Sequence, residues 1–178
     1  MKIGIDISQL TFQKVGVSDY LANFLNGLLK IDEKNEYIFF YSSMRGKLNI
    51  DKFKFLKKSN VRLRQFKMPP TFLDFLWNRL HIFPIENLIG EVDLFITSDW
   101  TEPPAKKAKK ATILYDLIVY KYPNETDSKI IKTQKRKLHW VEKESDLIFC
   151  ISKSTAKDAN EILGIEESRL KIAYPGIN

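Results

Sequence analysis

Seven short β-rich runs alternate with longer stretches of helical spacing from one end of this chain to the other. A strand covered by helices on both faces has no wet side, so it reads as a near-continuous apolar run, whereas a half-exposed strand alternates. Most of the runs are of the first kind: Lys2 to Ile7, Tyr37 to Tyr41, Val61 to Phe66, Asp93 to Thr97, Ala111 to Leu117, Asp146 to Ile151 and Leu170 to Tyr174. Their order predicts an α/β fold, a Rossmann-like, doubly wound and mainly parallel sheet of about seven strands.

Between the runs, Val17, Tyr20, Leu21, Phe24, Leu25, Leu28 and Leu29 recur at i, i+3, i+4 and i+7, a helix with its apolar stripe on the sheet. Further helices are expected over Leu73 to His81, over Ile85 to Ile89 beyond the interruption at Pro84, over the basic stretch Ser128 to Glu144, and over Ser152 to Leu163 with its stop at Gly164. At 178 residues the chain suits a single domain, 1–178, able to bury its own core. With 44% hydrophobic and 29% charged residues, nothing in the composition points to disorder.

In an open α/β sheet, ligands bind beyond the carboxyl ends of the strands. The first strand leads into Asp6-Ile7-Ser8-Gln9 and then Val15-Gly16-Val17 at a helix start, where free backbone N–H groups and the helix dipole can hold a phosphate. A glycine needed only for the turn would look the same. After the fourth strand, Thr97-Ser98-Asp99-Trp100-Thr101-Glu102-Pro103-Pro104 combines hydroxyls, a carboxylate and an aromatic ring, which suits a sugar site and also a plain turn. After the fifth, Tyr115 and Asp116 set a phenol and a carboxylate at a strand end, as substrate contacts or as a cap on backbone amides. Ser152 opens the last helix, as an N-cap or as a ligand.

Other chemistries find little purchase. His81 and His139 are isolated, and the one cysteine, Cys150, lies in the apolar run Leu147 to Ile151, so no zinc site and no disulfide framework is expected. Glu142 and Glu144 stand two apart on a helix and face different ways. The early Asp6 and the lack of a long apolar run favour a cytoplasmic protein.

Taken in order, several pieces resemble the N-terminal domain of the group 1 glycosyltransferases, the family 4 enzymes of the GT-B fold that are similar to bacterial mannosyltransferases. They are Ile3-Gly4-Ile5-Asp6 with Gly16-Val17-Ser18-Asp19-Tyr20, Tyr115-Asp116-Leu117-Ile118 with Tyr122-Pro123, Asp146-Leu147-Ile148 with Ile151-Ser152-Lys153-Ser154-Thr155, Leu163-Gly164-Ile165, Arg169-Leu170, and Tyr174-Pro175-Gly176-Ile177-Asn178. Leu48 to Ile89 matches poorly. The resemblance implies retaining transfer of a hexose, mannose among the candidates, from a nucleotide sugar to a saccharide or lipid-linked acceptor, as in polysaccharide biosynthesis, with no metal or other cofactor.

It also implies a first domain for the acceptor and a second for the donor. The segment Pro175 to Asn178 resembles the family's crossing into that second domain, so the donor-binding half is expected to lie outside 1–178, and this stretch alone to be inactive. The resemblance gives catalytic positions to Tyr115 and Asp116, where the family more often has His-Asp. It brings Gly16 and Val17 to the donor diphosphate, and leaves Ser98, Asp99, Trp100 and Ser152 as substrate-binding candidates.

The net charge of +7 favours anionic partners. A competing reading is a stand-alone basic module that takes nucleic acid through Lys106, Lys107, Lys109 and Lys110, although no aromatics interleave with that run. Lys129, Lys132, Lys135, Arg136 and Lys137 crowd one helix, as a solvated face or as a contact for an anionic membrane surface. Were the two clusters on one face, they would turn the acceptor cleft toward a lipid headgroup.

Overall fold

The computed structural model describes residues 1–12, 16–44, 46, 48–98 and 100–176. All seven runs form strands: β1 (Lys2–Asp6), β2 (Glu36–Ser42), β3 (Val61–Phe66), β4 (Leu94–Thr97), β5 (Lys109–Leu114), β6 (Leu147–Cys150) and β7 (Leu170–Ile172). They pair in the order β3-β2-β1-β4-β5-β6-β7, every pair parallel. The helices are α1 (Gly16–Ile31), α2 (Pro70–Leu73), α3 (Glu86–Ile89), α4 (Ile118–Lys121), α5 (Ser128–Glu144) and α6 (Lys153–Leu163). No helix among the described residues is long and apolar enough to cross a membrane.

Period-two alternation sends neighbouring strand residues to opposite faces. Ile3, Ile5, Tyr37 and Phe39 meet Leu21, Leu25 and Leu29 of α1. Ile38, Phe40 and Phe95 meet Leu73, Trp77, Ile85 and Ile89. Leu114, Ile148 and Cys150 meet Leu138 and Val141 of α5 and Ala159 of α6. Right-handed crossovers require this arrangement, because the chain first winds outward through β2 and β3 and then back past β1 to β4.

Gly4 leaves room on β1 for the side chains of Phe95 in β4 and Ile89 in α3. A Cβ there would stand 2.7 Å from a Phe95 ring carbon and 2.8 Å from Ile89 Cδ1. Gly4→Ala is therefore expected to cost about 2 kcal/mol through overpacking. A urea-denaturation midpoint equal to that of the parent chain would refute it.

The second helix departs from the sequence reading. Instead of one helix over 73–81, α2 starts at Pro70 and continues as a π-helical turn over Asp74–Arg79. The wider turn buries adjacent Trp77 and Asn78 together. Beyond it His81 and Phe83 adopt left-handed φ values of 51° and 66°. The Trp77 indole N–H donates to Phe83 O at 3.0 Å, and His81 stacks on Trp140 at 3.5 Å, which holds this uncommon backbone. The fifth strand also stops earlier than read, since Asp116 accepts from the Ile118 amide at 3.0 Å and turns the chain into α4.

The basic clusters differ more. Lys137 and Lys110 are 2% and 4% exposed, so each is an interior cation. Arg136 is bonded to Asp74 at 2.5 Å. Lys106, Lys107 and Lys109 border a hollow with Met1 and Lys2 at the amino ends of the strands, whereas Lys129 borders one with Trp100 and Thr101 at the carboxyl ends. Lys106, Lys107 and Lys109 therefore lie at the strand ends opposite to Lys129, and the clusters do not form one continuous basic patch there.

Candidate functional site

The chain leaves β1 in one direction and β4 in the other, so the loops beyond these strands part and open a crevice. A cleft of about 590 Å³ lies there. Its floor is built from strand ends. Asp6 Oδ1 accepts from the Ser8 amide at 2.8 Å and the Ser8 hydroxyl at 2.6 Å. Ser8 Oγ in turn accepts from the Ser42 amide at 3.1 Å, which ties the exit of β1 to that of β2. The Ser42 hydroxyl donates to Met68 O at 2.9 Å and accepts from Met68 N at 3.0 Å, drawing in the approach to α2. Gln9, Ser43 and Thr101 complete the polar lining, and Phe12, Met44, Pro70, Leu73 and Trp100 make apolar walls.

The wall that carries Trp100 is fastened from beneath. Asn78 donates to Trp100 O at 2.9 Å and accepts from the Glu102 amide at 2.9 Å, while Lys137 Nζ donates to Ser98 O at 2.6 Å. Glu102 is fully buried, with Oε2 receiving the Thr97 hydroxyl at 2.6 Å and Oε1 3.0 Å from Lys110 Nζ. Lys110 also donates to Glu144 at 2.8 Å, and Glu144 bonds His81 Nε2 at 2.8 Å. Lys110 thus meets the buried Glu102 carboxylate and the partly buried Glu144, as buried charge requires.

Burial opposes ionisation of Glu144, but the hydrogen bond and charge of Lys110, aided by His81, outweigh it and lower its pKa. A carboxylate depressed in the folded state stabilises fully above its ordinary pKa of 4.5, and that contribution is lost as the pH falls through the lower folded value. Glu144→Gln is therefore expected to flatten the acid limb of a stability–pH curve. An unchanged limb would contradict the ion pair. Burial also pushes the Cys150 thiol up to about 11, which leaves it protonated and inert at neutral pH.

The sequence candidates separate in space. Trp100 borders the cleft directly. Ser98 is buried below it, and its hydroxyl meets that of Tyr115 at 3.1 Å. Tyr115 is itself 9% exposed, its ring edge-on to Tyr20 at 5.4 Å, so it braces β4 against β5. Asp116 is exposed at the next position and turned to its own loop. Gly16 and Val17 open α1, next to Val15, which with Asp99 lies outside the described residues. Ser152 is the N-cap of α6, accepting from the Thr155 amide at 3.0 Å.

Several cleft residues were missing from that set: Phe12, Ser42, Ser43, Met44, Pro70 and Leu73. The signal for Ser42 and Ser43 was their position just past a strand beside β1. Pro70 and Leu73 carried no such signal, because only the return from β3 to β4 brings them to the cleft.

Among the described residues, no group of three or more His, Cys, Asp or Glu side chains is arranged to hold a metal ion. No protein-family model and no curated protein matches the chain.

Proposed function

We propose that this chain is the acceptor-binding domain of a retaining glycosyltransferase of the group 1, GT-B kind, with its acceptor in the cleft between the ends of β1 and β4. The observation that carries the reading is the chemistry of that cleft. A sugar ring has hydroxyls around its edge and C–H groups on its faces. A hydrogen-bonding floor of Asp6, Ser8 and Ser42 beneath walls of Trp100, Leu73 and Met44 complements both. The volume is that of a small-molecule site, which typically spans roughly 300–1,000 Å³. The ordered strand-end motifs support the same assignment.

On this reading the nucleotide sugar is held by a second domain that faces the strand ends, with Gly16 and Val17 turned toward its diphosphate. Transfer needs both substrates in one closed site. The 178-residue chain is therefore expected to bind saccharides and to give no heat with a panel of nucleotide sugars in isothermal titration. Micromolar binding of a nucleotide sugar to this chain alone would overturn the assignment.

A further inference from the structure

A second hollow of about 210 Å³ adjoins the cleft and shares Pro70, Trp100 and Thr101 with it. By itself it falls below the roughly 300 Å³ of a self-sufficient ligand site. As an extension across Trp100, it lengthens the cleft toward the first turn of α5. Its lining again combines apolar walls, Pro70, Trp100 and Ile130, with polar edges, Thr71, Asp74 and Thr133, and adds the Lys129 side chain. Arg136 fixes those edges in advance, donating to Asp74 Oδ2 at 2.5 Å and to Thr133 Oγ1 at 3.1 Å.

We infer that the site takes an extended saccharide of at least two units, one in each hollow, with Trp100 at the junction between them. The inference rests on the acceptor reading above and adds acceptor length to it. An apolar chain across the same path would lay hydrocarbon against the Thr71 hydroxyl, the Lys129 ammonium and the charged Asp74–Arg136 pair, which disfavours a lipid tail there. A single ring would leave the second hollow to water. A second ring places C–H faces on Ile130 and Trp100 and hydroxyls on the edges that Arg136 holds in place.

The test is a length ladder of gluco-, galacto- and manno-oligosaccharides, from one unit to three, titrated against the parent chain and against Thr71→Trp. Thr71 is exposed at the start of α2, so an indole there fills the second hollow without entering the core. In at least one series affinity is expected to rise about tenfold from one unit to two, equivalent to roughly 1.4 kcal/mol. Thr71→Trp is expected to erase that rise and leave the one-unit affinity unchanged. Binding independent of length, or a rise untouched by Thr71→Trp, would overturn the two-unit inference and leave the acceptor domain standing. Absence of binding across the whole ladder would remove the acceptor reading itself.

Discussion

Replacing Glu102 by alanine is expected to destabilise this chain by roughly 3–5 kcal/mol, the cost of stripping one partner from a buried ion pair. The carboxylate is fully buried between the Thr97 hydroxyl and the Lys110 ammonium, and its own amide is held by Asn78. Without it, Lys110 keeps only Glu144, and an interior cation loses half of its charge compensation. Such a loss is a large fraction of a typical domain's roughly 5–15 kcal/mol. Guanidinium denaturation measures it directly. The double change Glu102→Leu with Lys110→Met removes both charges and is expected to recover most of the loss, since well-packed apolar replacements of buried pairs are often neutral. A single-variant loss below about 1 kcal/mol would mean that the ammonium reaches water once freed, and that the pair lies less deep than its 0% and 5% side-chain exposures indicate.

Asp6→Ala is expected to weaken saccharide binding about a hundredfold, or roughly 2.8 kcal/mol, within the range for hydrogen bonds to a charged group. The loss arises through shape. Asp6 holds both the amide and the hydroxyl of Ser8, and Ser8 in turn holds Ser42, so one side chain sets the spacing of two strand exits. Asp6→Asn keeps an acceptor for both Ser8 groups and is expected to keep most of the affinity. If Asn and Ala weakened binding equally, the charge of Asp6 would matter and the floor geometry would not. If neither did, the floor would not be the site.

The strands were legible because parallel strands buried on both faces leave a contiguous apolar signature, and all seven are present. Long α5 was legible for a similar reason, with Asp127 capping its start. Lys137 shows where residue type misled. It lies three residues after Gln134 and four before Val141, on the inward stripe of α5, yet a lysine among lysines reads as surface. Lys110 repeats the lesson on β5, sharing a face with Thr112 and Leu114 by period two. At Lys110 the inward cation meets a buried anion, Glu102. The cleft was legible only in its strand-end half, at Asp6, Ser8 and Trp100. Its other half comes from Ser43 and Met44 beyond β2 and from Pro70 and Leu73 of α2, which the return from β3 to β4 brings over the strand ends.

The most direct test of the proposed acceptor site is an amide-resonance map of the chain during titration with the tightest-binding oligosaccharide of the ladder. The account predicts that Ser8, Ser42 and Thr101 shift together with the Trp100 indole, while Lys106, Lys107 and Lys109 at the opposite strand ends and Thr155 in α6 stay in place. Shifts confined to those distant residues, or none in the cleft at saturation, would contradict it.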